Sequence, residues 1–224
     1  MKYGYPTTDN LFQYEGHILA YSNFFKCPLW VCERITKVNL GNKRVDRKTH
    51  TNRNSFVEVD ELEDFSSDNS DFSESGFDRG HMAAAGNHQH SPRAYSDTFK
   101  LTNVCPQSPD LNRRLWNELE GHIRGVVWDY DVVHALTGPL FAAVNEKKAN
   151  LVVRRIGQNR VSVPTHFFKV YCWSQSGGMR LDAYIMPNRC GLKGSLSNYI
   201  VHFSEVERKA GFRVFSLLTR KTSS

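Results

Sequence analysis

The segment Gly76-Phe77-Asp78-Arg79-Gly80-His81-Met82-Ala83-Ala84-Ala85-Gly86-Asn87 places a histidine behind a glycine-flanked Asp-Arg pair. Downstream come Asn103, Pro106-Gln107, Leu111-Asn112, Trp116 and Leu119-Glu120. These residue types match what phosphodiester cleavage needs. A base must take a proton from water. A cation must neutralise charge on the phosphoryl and leaving oxygens. Arginine must hold the nonbridging oxygens. His81 as base, a metal on Asn112 and Arg79 on phosphate would supply the three parts. The lack of a carboxylate cluster is no obstacle, because Mg²⁺ keeps several of its waters and needs few protein oxygens. Glu120 lies eight residues beyond Asn112, about 12 Å along a helix. It is rotated from Asn112 by roughly 80° at 100° per residue, close enough to share the same broad face and reach the metal's waters.

Elements able to position these groups can be read around them. Leu111, Leu115, Leu119 and Ile123 recur every fourth residue and predict a helix over 112–127. Strands are expected over 18–23, 29–38, 131–137, 151–156, 161–173 and 181–186, with turns over 141–150 and 174–178. Ser204 and Glu207 read as a capping box for a short helix that ends at Gly211. Many strand runs with few helices predict an α+β fold in a single domain, 1–224.

The net charge of +6 hides a segregation. Residues 58–78 hold nine of the 23 acidic residues and no Lys or Arg, so the remainder carries 14 acidic against 29 basic residues, a balance of +15. Such a body suits a polyanionic partner; a merely solvated surface is the other reading. Basic residues gather at Arg34, Lys37, Lys43, Arg44, Arg47, Lys48 and Arg53, which read as a nucleic-acid track or a solvated face. The serine-rich acidic segment reads as a loop, partly helical in one version. No apolar run approaches the roughly 18 to 20 residues of a membrane span, so no membrane insertion is expected. The start of the chain has no apolar signal core or Arg/Ser-rich leader, so either no leader exists or it is absent here. Five scattered cysteines without a C-x-x-C pair predict buried, reduced thiols and no zinc site.

Asp78-Arg79-Gly80-His81, Asn103, Gln107, Leu111-Asn112 and Leu119-Glu120, in that order, resemble the DNA/RNA nonspecific endonuclease family, most of all its mitochondrial branch. Trp30-Val31-Cys32-Glu33, Asp46-Arg47-Lys48, Ala83-Ala84-Ala85-Gly86-Asn87-His88, Thr137-Gly138-Pro139-Leu140 and Val163-Pro164-Thr165-His166-Phe167-Phe168-Lys169-Val170 extend the likeness over nearly the whole chain. The resemblance implies a ββα-metal core with a mixed, mainly antiparallel sheet arrangement. His81 would stand on the hairpin and Asn112 on the crossing helix, both facing one Mg²⁺, for which Mn²⁺ can substitute. Asn103 would orient His81, Glu120 would hold the waters around the metal, and Arg79 would contact phosphate. Arg113, Arg114 and Arg124 are further candidates for substrate contact. DNA and RNA would be cut to 5′-phosphate and 3′-hydroxyl ends by a mitochondrial homodimer. The acidic segment 58–75 is less like the family.

Blander roles stand beside these. Asp78 reads as structural, and Arg79 could be the ion-pair partner of an acidic neighbour. Asn112 could cap its helix, and Glu120 could be a solvated helix residue. His88 and His90 read as surface or phosphate contacts, and His166 and Trp116 as core. Two other functions remain open. An exonuclease-type relative is disfavoured by Asp78 and by the short stretch after Phe215. A nucleic-acid binder without catalysis is disfavoured by the full set of His81, Asn103, Asn112 and Glu120.

Overall fold

A computed structural model describes residues 4–42, 44–45, 56–141, 153–176 and 178–216. Its strands are β1 (Leu11–Gln13), β2 (His17–Ser22), β3 (Cys27–Thr36), β4 (Asp78–His81), β5 (Val104–Gln107), β6 (Val132–Leu140), β7 (Arg155–Ile156), β8 (Val161–Ser162), β9 (His166–Gln175), β10 (Gly178–Pro187) and β11 (Ile200–Val201). The main sheet runs β1-β2-β3-β6-β9-β10-β11, and every neighbouring pair in it is antiparallel. Two small pairs, β4-β5 and β7-β8, stand apart from it.

The strands of the main sheet alternate between two cores, as a sheet covered on both faces must. In β3, Val31 and Ile35 enter one core while Trp30 and Cys32 enter the other. In β9, Phe167 and Tyr171 take the first side, and Phe168, Val170 and Cys172 the second. The second core lies against the C-terminal helix Phe203–Ala210, which contributes Val206. The first lies beneath β4, β5 and the helical stretch 109–130: Met82, Cys105, Leu111, Leu115, Trp116, Leu119, Ile123 and Val127 all pack into it. The topology explains this placement. β3 and β6 are adjacent in the sheet, with Val31 opposite Thr137 and Thr36 opposite Val132. The chain between them, with β4, β5 and the crossing helix, has one sheet face to cover.

The crossing helix extends further than the leucine spacing predicts. It starts at Pro109–Leu111, passes through a π-turn over Asn112–Trp116, and continues as Asn117–Tyr130. β3 ends earlier than predicted because Thr36 caps the short helix Lys37–Gly41, its side chain accepting from the Asn39 amide at 3.1 Å. The run 161–173 is split by Pro164 into β8 and β9, and β10 begins at Gly178, earlier than expected. Of the run 151–156, only Arg155–Ile156 is a strand among the described residues. The expected capping box at Ser204 is corrected: His202 is the N-cap, and the buried Glu207 pairs with Arg213 at 2.7 Å. The helix does end at Gly211, in the left-handed region at φ 77. The acidic segment forms 3-10 turns at Asp60–Phe65 and Ser70–Phe72. The expected turn over 142–150, and Lys43, Arg47, Lys48 and Arg53 of the basic stretch, lie outside the described residues.

Cys27, Cys32, Cys105 and Cys172 are buried and Cys190 is exposed, and none of the five is in a disulfide. No helix among the described residues is long and apolar enough to cross a membrane.

Candidate active site

β4 and β5 pair antiparallel, with Asp78 opposite Gln107 and His81 opposite Val104. They are joined by a long connection, 82–103, and not by a tight hairpin turn. Gly80 is required in this pair: a Cβ there would come within 2.6 Å of the Gln107 Cβ. Gln107 is itself fully buried, so it has little room to yield.

His81 projects from the end of β4 between two aromatic rings. Phe99 meets it edge-on at 4.9 Å, and Phe56 lies tilted at 5.1 Å. A parallel bridge between Val57 and Lys100 sets Phe56 beside Phe99. These walls restrict the imidazole's rotation and keep water from its faces. Asn103 acts on the backbone that follows His81. It is fully buried and holds the backbone two residues beyond the histidine, accepting from the Ala83 amide at 2.9 Å. Its own amide donates to the carbonyls of Ala83 (3.0 Å) and Thr98 (2.9 Å). Its backbone carbonyl accepts from the Met82 amide at 2.9 Å. The exit from β4 is therefore fixed on both sides of the chain.

Asp78 is structural, as expected, and ties β4 to the crossing helix. One of its oxygens accepts from Asn112 Nδ2 at 2.9 Å and Arg113 Nε at 2.9 Å, and the other from Arg113 Nη2 at 2.7 Å. Because Nδ2 of Asn112 is committed to Asp78, the amide orientation is set and Oδ1 is turned elsewhere. The π-turn adds to this arrangement. Two regular helical turns span about 7.2 residues, whereas closure from i to i+5 widens a turn. The eight-residue step from Asn112 to Glu120 then approaches two whole turns, so the two side chains share a face more closely than a regular helix would allow.

Both line a cleft of about 310 Å³ together with Arg79, His81, Phe99, Arg113, Asn117 and Arg124. Arg79 donates to Asn69 Oδ1 at 2.6 Å, and its guanidinium lies 4.7 Å from the Phe56 ring centre. Its partner is thus an amide of the acidic segment. Arg114 is excluded from the cleft: it is exposed and paired with Asp110 at 2.9 Å, an i,i+4 contact along the helix. The donors facing the cleft, an amide oxygen and the Glu120 carboxylate, are hard oxygens of the kind that Mg²⁺ or Mn²⁺ accepts, with no thiolate among them. No group of three His, Cys, Asp or Glu able to hold a metal occurs among the described residues. An ion here would rely on few protein oxygens.

Beneath the cleft lies a buried polar layer that sequence reasoning missed. Glu33 is 1% exposed and accepts from Asn87 Nδ2 at 3.0 Å. Its same oxygen is 3.0 Å from His88 Nε2. Asn87 in turn accepts from Arg124 Nη1 at 3.2 Å. His88 is therefore an interior partner of Glu33, not the surface contact expected of it. Burial raises the Glu33 carboxyl pKa, but the hydrogen bond from His88 and the charge of Lys169 outweigh it and hold it below the usual range. Lys169, also 1% exposed, lies 5.1 Å from the Trp116 ring centre and donates to the Met82 carbonyl at 3.4 Å. The signals were present: a glutamate inside the apolar run 29–35 and a lysine between Phe168 and Val170. Asn69, in a serine-rich stretch, carried no such signal. His166 is half-buried, not a full core residue, whereas Trp116 is core at 1% exposure.

A profile of DNA/RNA non-specific endonucleases matches residues 1–221. The chain is 38% identical to mitochondrial endonuclease G of Caenorhabditis elegans, over 99% of this chain and 73% of that protein. It is equally identical to the Homo sapiens endonuclease G, over 94% of this chain and 71% of that one. Identity to the mitochondrial nuclease EXOG of Xenopus laevis is 31%, over 98% and 62%. The backbone superposes with a TM-score of 0.91 on the solved structure of an EndoG/EndoGI complex, at 36% identity and covering 99% of this chain and 91% of that one.

Proposed function

Because the chain belongs to the DNA/RNA non-specific endonuclease family, we propose that it hydrolyses internal phosphodiester bonds of DNA and RNA, leaving 5′-phosphate and 3′-hydroxyl ends, with Mg²⁺ as its ion and Mn²⁺ able to substitute. The observation that supports this most is that His81, Arg79, Asn112, Glu120 and Arg124 open on one cleft. His81, wedged between Phe56 and Phe99, takes the proton from the attacking water. Asn103 is a positioning residue that locks the backbone following the histidine. Arg79 and Arg124 hold the nonbridging phosphate oxygens. Arg113, already bound to Asp78, offers its remaining N–H groups at the rim. Asn112 would hold the divalent ion through Oδ1, and Glu120 would hold the waters around it. That ion would neutralise charge developing on the phosphoryl and leaving oxygens.

The test compares His81→Ala and Asn112→Ala on supercoiled circular DNA. Loss of the base should cost about 10² to 10⁴ in rate while Mn²⁺ affinity persists. Asn112→Ala should weaken that affinity. Near-wild-type nicking by His81→Ala would remove the assignment, and loss of linear DNA with circles untouched would favour an exonuclease. Kinship also supports a mitochondrial location, since several relatives carry it in their names, and the resemblance to the family further suggests a homodimer. Cell fractionation and light scattering test these two points, and a cytosolic monomer would refute both.

A further inference from the structure

A second recess, of about 630 Å³, adjoins the catalytic cleft and shares Arg79 and Asn112 with it. Its volume falls in the roughly 300 to 1,000 Å³ range of small-ligand sites. Phe56, Phe72 and Phe77 give it aromatic walls, and Ser70 and Ser73 form an exposed lip. We propose that this recess is a subsite for one unpaired nucleobase, that of the nucleotide next to the scissile phosphate. The proposal rests on the nuclease reading above and adds the form of substrate preferred.

Three observations carry it. The first is continuity. A polynucleotide whose phosphate lies at Arg79 and Asn112 must continue away from those residues, and the recess begins at the same two side chains. The second is chemistry. Asp78 lines the recess and Asp68 stands behind its lip, accepting from the Ser70 backbone amide at 2.7 Å and hydroxyl at 2.6 Å, so carboxylates on this side disfavour a second phosphate. The Ser70 hydroxyl is the chief reason the Asp68 carboxyl is held below the usual range, and so ionised. An uncharged aromatic ring is the part of a nucleotide that such a recess accepts, and every base has one. The third is preorganisation. Asn69 bridges the wall to the phosphate site, donating to the Phe56 carbonyl at 3.0 Å while accepting from Arg79. Buried Asp71 accepts from the amides of Asp68 (2.9 Å) and Asn159 (3.0 Å) and from Asn159 Nδ2 (3.0 Å). Gly157, at φ 66, lets the β7-β8 turn close onto Asp71, where a Cβ would collide. Arg154 lies 4.8 Å from the Phe77 ring centre and backs that wall with a cation. The acidic serine-rich segment is thus the rigid side of a pocket. A base inside a duplex cannot enter such a recess without leaving its stack, so single strands and unpaired sites are favoured.

Ser73→Trp fills the recess from its exposed lip, and Ser70→Trp does so from a second point. Three substrates are compared: a short single-stranded oligodeoxynucleotide, its duplex, and bis(p-nitrophenyl) phosphate, which has no base. Wild-type kcat/KM should be higher on the single strand than on the duplex. Each variant should lower the single-strand value roughly 5- to 150-fold, the range that one base–aromatic stack is worth, mainly through KM, while hydrolysis of the baseless diester is unchanged. Unaltered single-strand kinetics in both variants would overturn the subsite and leave the nuclease reading standing. An equal loss on the baseless diester would also overturn it, by placing the effect at the phosphate centre. A wild-type protein inactive on all three with Mg²⁺ or Mn²⁺ would strike the nuclease reading itself, and the subsite with it.

Discussion

Glu33→Gln removes one charge from beneath the cleft while keeping the side chain's shape. Glu33 and Lys169 are each 1% exposed, and the lysine's charge is among the influences that hold the Glu33 carboxyl ionised. The substitution leaves the buried lysine without that compensating charge; breaking a buried pair in direct contact costs about 3 to 5 kcal/mol, which bounds the loss. The glutamine oxygen can still accept from Asn87, so the lower end of that range is expected. Against a total of roughly 5 to 15 kcal/mol for an ordinary domain, this is a severe change. Urea unfolding followed by the fluorescence of buried Trp30 and Trp116 would measure it. The pH dependence gives a second check. The Glu33 pKa is lowered in the fold, so the stability it contributes is complete above the unfolded carboxyl pKa, about 4.3. That contribution is lost as pH falls through the lower folded value. The gap between wild type and variant should therefore be full at neutral pH and shrink in acid. A difference below about 1 kcal/mol at neutral pH, the scale of one net hydrogen bond, would refute the view that Glu33 compensates buried cations.

His17 is buried, and neither of its ring nitrogens has a hydrogen-bond partner among the described residues. Burial first, and then the neighbouring His88, lower its pKa to about 3. The unfolded state then binds the extra proton between about pH 6.5 and 3, so stability should fall with acidification by about 1.4 kcal/mol per pH unit across that window. His17→Leu should flatten this slope in urea titrations, and an unchanged slope would count against it. Asn69→Ala releases Arg79 from its 2.6 Å partner. It should cut kcat/KM on DNA about tenfold, or about 1.4 kcal/mol, with most of the loss in KM; wild-type kinetics would refute the view that Asn69 positions the guanidinium.

Much of the set that lines the cleft was legible because its spacing reports backbone constraints. The four-residue leucine rhythm found the crossing helix. What escaped was set by long-range packing. β4 and β5 are four residues each, β4 mostly half-buried and β5 buried throughout, so no alternation marks them. The helix N-terminus was missed because Pro109 opens it before the first leucine of the stripe. The π-turn has no signature in apolar periodicity. Arg113 and Arg114 are adjacent and chemically identical in sequence, yet the helix rotates one toward Asp78 and the other toward Asp110. Their separation needed the register of the helix against β4, which only the fold supplies. His88 was misjudged for a similar reason, since its buried partner Glu33 lies 55 residues away.

The choice of an amide at position 112 follows from what surrounds it. Asp78 is nearby and carries charge, yet its oxygens already serve Asn112 and Arg113. Were the carboxylate to turn toward an ion, Arg113 would lose a bidentate partner and the Asn112 amide would lose its orientation. The neutral amide oxygen is left as the helix's offering to the cleft. A neutral donor also leaves a divalent ion's charge less compensated by protein, and so more available to the anionic phosphate. The same economy of negative charge appears elsewhere in the site. The acidic segment reaches Arg79 through an amide, Asn69, and Glu33 reaches Arg124 through another, Asn87. In both cases an uncharged amide stands next to the guanidinium, and behind Asn87 the carboxylate of Glu33 fixes that amide in place.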